Sequence, residues 1–172
     1  VTDNLSATDR VFTFTGGAET ITVTDNVAAD GKTMIDSTLG ESVYFTNPTG
    51  SLTINAGTGA DIVTVTSVDA AYNVDLTING DAGNDTVNLN GDITFASGES
   101  LNVNLTNDAG GGDLDSVTGG ASANLITSGS GSIALQSSGT ITAAAGSSLE
   151  TVNGGITVAA NAAAAASGNF VG

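Results

Sequence analysis

Apolar and polar residues alternate through 52–65 and again through 76–89, and the two runs line up position for position. Leu52 matches Leu76, Ile54 matches Ile78, Gly59 matches Gly83, Asp61 matches Asp85, Val63 matches Val87 and Val65 matches Leu89, always 24 residues apart. Each run alternates, breaks at glycines and alternates again, which is the pattern of strand, turn and strand. A fixed period in the range of roughly 20–50 residues marks a stacked repeat. The pattern therefore predicts an all-β chain, a right-handed parallel β-helix (β-solenoid) of about five or six rungs of roughly 24 residues, each with three short strands and three turns. With strands about 4.8 Å apart, Leu52 lies under Leu76 and Val63 under Val87, facing the core. Thr53, Asn55, Thr64, Thr77 and Asn88 then face solvent, and a slip of one residue would bury that polar set. A β-sandwich of two hairpins is the competing architecture, but it supplies no reason for a constant offset.

The rest of the chain repeats the pattern less cleanly. Residues 1–10 read as a polar arm or linker, 11–158 as the solenoid, and 159–172 as an Ala-rich tail, cap or joint. Val11–Thr15 and Thr20–Thr24 alternate around Gly16-Gly17; a loop follows over 25–32, then short apolar pieces at Met34-Ile35 and 43–45, with Asn47-Pro48 closing that coil. After the two clean copies, Leu101–Leu105 starts one residue late and its turn expands over 106–115, where a solenoid tolerates insertion. Ile133, Ile141, Leu149 and Ile156 then recur about eight residues apart, one third of the period. Ala162–Ala166 could form a turn or two of helix.

Charge narrows the partners. Asp and Glu number 18 against 2 Lys and Arg, a net charge of −16, which disfavours nucleic acid and anionic membrane and favours cations. There is no Cys, His or Trp, and aromatics make up 4% of the chain, a composition suited to a thin core of Val, Ile, Leu and Ala. Thiol chemistry, zinc–thiolate sites and His-based triads are thereby excluded. No apolar run reaches the length of about 18 residues needed for a membrane span. The opening Val1-Thr-Asp reads as a processed form or an excised piece.

The glycine–aspartate turns carry the one chemical motif. Gly80-Asp-Ala-Gly-Asn-Asp-Thr-Val-Asn88 resembles the calcium-binding nonapeptide of RTX-type bacterial proteins at Gly80, Gly83, Asp85 and Val87. The earlier turn matches at Gly57, Gly59, Asp61 and Val63, and the copies recur once per coil rather than in tandem. The resemblance implies calcium as cofactor, held by Asp61 and Asp85 in stacked turns, with Asp81, Asp113 and Asp115 nearby. The other reading is that Gly and Asp make good turns and the carboxylates face solvent. For a polysaccharide-cleaving enzyme, Asp61/Asp85 or Asp113/Asp115 could meet the carboxylate spacing, but aromatic groove residues are lacking and Arg10 and Lys32 lie outside the clean copies. The runs Thr20–Thr24, Thr64–Thr66 and Thr140–Thr142 do not recur at the 24-residue period and are ordinary outward strand residues. Three Asn-x-Ser/Thr sequons begin at Asn4, Asn84 and Asn104.

As a whole the chain resembles the long, acidic, cysteine-free β-solenoids of bacterial surfaces and matrices, the adhesin- and autotransporter-like proteins. The resemblance implies a non-enzymatic extracellular structural protein, a subunit of a surface or biofilm-matrix fibre, calcium-stiffened and joined to copies of itself. Open strand edges supply a motive for that joining, with Val11–Thr15 meeting Ile156–Val158 or the 169–171 end and no cap expected in 1–10. The alternative is a calcium-dependent adhesin or glycan-binding segment of a larger surface protein.

Overall fold

The computed structural model describes residues 1–70, 72–106, 113–161 and 170–171, which form an all-β structure of mostly parallel sheets. A six-stranded sheet runs in the spatial order Asp9–Thr13, Ser51–Asn55, Asp75–Asn79, Leu101–Leu105, Ile133–Ser137 and Ile156–Ala159. Every neighbour in it is parallel. After each of the first five strands the chain passes through a nine-stranded sheet, at Thr20–Thr24, Ile62–Val65, Thr86–Leu89, Ser116–Gly119 and Thr140–Ala143 in turn, and comes back beside the strand it left; Phe170–Val171 of the same sheet follows the sixth. Ile93–Ser97, Asn124–Ser128 and Ser148–Glu150 form a third, three-stranded sheet on the return path.

Register follows the apolar alternation. Leu52, Leu76, Leu101, Ile133 and Ile156 form one column, and Ile54, Ile78, Val103, Leu135 and Val158 the next. On the facing sheet Ile21, Val63, Val87, Val117 and Ile141 align in the same way. Leu52, Leu76, Leu101 and Ile133 are fully buried, so the repeat predicted the core and its one-residue delay at Leu101. The interval need not be constant. Column neighbours lie 42, 24 and 30 residues apart at successive steps, because the connections lengthen while the strands keep their pairing.

Residues 25–48 depart from expectation. They do not close a parallel coil: Lys32–Ser37 pairs antiparallel with Thr20–Thr24, and Val43–Thr46 pairs antiparallel with Lys32–Ser37. Two short connections cannot carry a crossover of a dozen residues, so they fold back as hairpins instead. Thr33, Ile35 and Ser37 turn inward, and Phe45 is fully buried.

The expected N-terminal arm also proves to be bound. Thr2–Asp3 pairs parallel with Tyr44 and Phe45, and the Val1 ammonium donates to the Ser42 carbonyl at 2.6 Å. Arg10 occupies the inward column beside Leu52. Its guanidinium donates to Asp3 Oδ2 (2.6 Å), the Leu5 carbonyl (2.5 Å) and the Thr46 carbonyl (3.0 Å), and lies 5.4 Å from the centre of the Phe45 ring. Phe12 packs on Phe45 with ring centres 5.0 Å apart. Together these residues close the N-terminal end of the core, a cap the composition of 1–10 alone did not suggest.

At the other end, Phe170–Val171 pairs with Ile141 and Thr142, while the helix expected over Ala162–Ala166 lies outside the described residues. So does most of the expanded turn, residues 107–112. Among the described residues no helix is long and apolar enough to cross a membrane.

Candidate functional site

The site grows out of the turn that joins the six-stranded sheet to the nine-stranded one. In the two clean copies this turn stacks backbone on backbone: Thr58 bridges Ala82, Gly59 N–H donates to the Ala82 carbonyl and Ala82 N–H to the Gly57 carbonyl. Gly83 sits at φ 137° and a Cβ there would lie 1.7 Å from the Gly59 carbonyl oxygen, so only glycine fits that approach. Tight stacking sets the following acidic residue beside its counterpart just ahead of the neighbouring strand.

The result is a column of carboxylates that face inward, against the expectation that turn aspartates face solvent. Asp61 Oδ1 accepts the Glu19 N–H at 2.7 Å, Asp85 Oδ1 the Asp61 N–H at 2.9 Å, and Asp115 Oδ1 the Asp85 N–H at 2.7 Å. Ser138 closes the column. Its hydroxyl lies 2.7 Å from Asp115 Oδ2 and accepts the Asp115 N–H at 3.1 Å. At the opposite end the Ser37 hydroxyl donates to Glu19 Oε2. Glu19, Asp61, Asp85 and Asp115 are 6%, 0%, 2% and 1% exposed, an unusual state for carboxylates.

Of the five predicted calcium ligands, the fold therefore aligns Asp61, Asp85 and Asp115. Asp81 and Asp113 take no place in the column: Asp81 holds a left-handed turn position (φ 70°), and Asp113 offers its carbonyl to the Ser138 hydroxyl at 2.9 Å. Among the described residues no three acidic side chains converge as a metal-holding set. Glu19 and Ser138 were missed by the sequence reading. The signal for Glu19 was available, since each acidic member stands two residues before the first inward residue of its strand: Glu19/Ile21, Asp61/Val63, Asp85/Val87 and Asp115/Val117.

Electrostatics make this column costly unless something neutralises it. The chain's two basic side chains are engaged elsewhere, Arg10 with Asp3 and Lys32 with Asn4 Oδ1 at 2.7 Å. Burial pushes the Asp61 carboxyl above its ordinary range; the Glu19 N–H works against that shift, and the Glu19 charge adds to it. Asp61 Oδ2 is buried and meets no hydrogen-bond donor.

Outside the column the surface is a set of polar ladders. Asn79 Nδ2 donates to Asn55 Oδ1 at 2.8 Å across neighbouring parallel strands. On the nine-stranded sheet Thr22, Thr64, Asn88, Thr118 and Thr142 share one outward row, so the threonine runs do come into register although their spacing in sequence is irregular. No protein-family model, no curated protein and no solved structure matches the chain.

Proposed function

We propose that the protein is a non-enzymatic structural element of a bacterial cell surface or extracellular matrix, a segment of a rod-like stalk or fibre built as a right-handed parallel β-helix of six coils. The observation that carries this reading is the persistence of register. Three sheets keep the same apolar columns through connections of very different length, as a linear scaffold requires and as a loop-built reaction site does not. Of the carboxylate pairs that sequence spacing would offer to a glycosidase, both members of Asp61/Asp85 are buried, at 0% and 2% exposure, and so is Asp115 of the other pair at 1%.

Head-to-tail joining has unequal ends to work with. At the N-terminal side the outermost strands among the described residues are Asp9–Thr13, Ile93–Ser97 and the two-residue Thr2–Asp3, which the antiparallel strands carry out beyond Thr20–Thr24. At the other side Ser148–Glu150, Ile156–Ala159 and Phe170–Val171 are all outermost strands among the described residues. Self-association, in this reading, begins at that second end, pairing two copies there, rather than head to tail. Sedimentation velocity over a concentration series, with electron microscopy of the products, tests it. Association should appear in the parent chain, persist in Val11→Asp and disappear in Ile156→Pro, which removes an outward-facing edge N–H at the start of the last strand of the six-stranded sheet. No association at any concentration, or association indifferent to Ile156→Pro, would sink the self-association reading.

A further inference from the structure

The buried column has a second feature beside it. A cleft of about 340 Å³ opens at its head, lined by Thr13–Gly16, Glu19, Leu39 and Gly40. Glu19 is thus shared between column and cleft: one carboxylate oxygen accepts the Ser37 hydroxyl, and the side chain walls the opening. Asp61 does not line the cleft but is joined to Glu19, accepting the Glu19 N–H at 2.7 Å, and carries the buried oxygen that has no donor.

We propose that Glu19 and Asp61 hold a hard divalent cation, calcium in the first instance, at the head of the column, entered from this cleft. Two carboxylates less than a tenth exposed, with no basic residue beside them, call for a positive charge. The donor set is all oxygen, because the chain has no His and no Cys, and that selects calcium or magnesium over softer metals. Two carboxylates do not complete a shell; the open cleft admits the water that such ions commonly keep. The placement differs from the one implied by the glycine–aspartate turns. It brings in Glu19, which belongs to neither clean copy, and leaves out Asp81 and Asp113. A cation there would tie the hairpin that carries Ser37 to the coil stack, fastening the cap whether or not the rod joins other copies.

Thermal melts and isothermal titration with calcium chloride, after exhaustive chelation, test the site on the whole chain. Calcium at millimolar concentration should raise the melting temperature of the parent by several degrees and give a saturable heat. Both responses should vanish in Glu19→Gln and in Asp61→Asn, which keep shape and hydrogen-bond acceptors, and survive in the double variant Asp81→Asn/Asp113→Asn. A parent chain indifferent to calcium and to magnesium overturns the proposal. So does a calcium response retained by Glu19→Gln or lost in the Asp81/Asp113 variant. Because association is read separately by sedimentation, failure here leaves the rod reading standing, and failure of association leaves the cation site standing.

Discussion

The inward column that runs through Leu52 and Leu76 ends in Arg10 on one side of the molecule and in Ile156 on the other. Around Arg10 the core is finished: Phe45 is fully buried, Phe12 covers it, and two antiparallel strands and the chain's first residues close over both. Around Ile156 it is not, for Ile156 is 46% exposed and Val158 and Leu149 are only half-buried. Charge divides the same way. Of the 18 acidic residues only Glu150 lies beyond Asp115. What differs is how each end treats its edges. The closed end spends aromatic side chains, a basic residue and a change of strand direction on them, while the open end leaves parallel strands and small side chains. A repeat sequence specifies its interior by periodicity, and an end must be specified by departing from it.

The largest effect should come from attacking the closed end. Phe45→Ala removes a fully buried ring that packs on Phe12 and underlies Arg10, and truncation of such a residue costs about 3–5 kcal/mol. Ile156→Ala, nearly half exposed, should cost less than about 1 kcal/mol. Urea unfolding midpoints compare the two. Equal losses would mean that Ile156 is covered as well as Phe45, and the contrast between the ends would fall.

A second substitution sharpens the comparison from the opposite side. Toward the open end the core thins around an apolar cavity of about 150 Å³, lined by Leu89, Ala123, Leu125, Leu135, Ile141 and Leu149 among others. Ala123 is 3% exposed and borders it. Ala123→Val should raise stability by roughly 0.5–1 kcal/mol by filling space that now contributes no contacts. A loss of similar size would show that the cavity wall is already at its packing limit there.

The same division sets what could be read from the sequence. The columns through Leu52/Leu76 and Val63/Val87 were legible because two copies repeat without insertion, and strand alternation leaves no freedom in register. Lys32–Ser37 and Val43–Thr46 were not, because alternation fixes which residues face inward but is silent on whether a strand runs parallel or antiparallel to its neighbour. Only connection length carries that information, and a hairpin of short loops resembles a compressed coil. In the site, Asp61 and Asp85 stood out through their glycines. Glu19 did not, since its turn carries Gly16-Gly17 in another arrangement and a longer side chain reaches the same column. The aim of the carboxylates was hidden for a further reason: a turn aspartate faces in or out according to what lies beside it, and what lies beside it is a backbone N–H from a turn 24 residues away.

The smallest expected effect concerns that column and asks whether the closed end is sensitive to acid. Asp61 has a folded-state pKa raised above 3.8, chiefly by burial, so the ionised form penalises the fold. The penalty is fully present above the folded value, lessens as pH falls through it, and is gone below 3.8. In chelator, acidification from neutral pH should therefore stabilise the parent relative to Asp61→Asn, whose amide oxygen still accepts the Glu19 N–H. Other groups move the parent and the variant alike. Glu99, raised by burial and then by Asp75, adds stability on acidification, whereas Asp3, lowered by its hydrogen bond to Arg10, loses it as the acid range is entered. The difference between the two melting curves against pH is thus the quantity that isolates Asp61. A flat difference from pH 7 to pH 4 would show that the Asp61 charge is already neutralised in chelator by some other means.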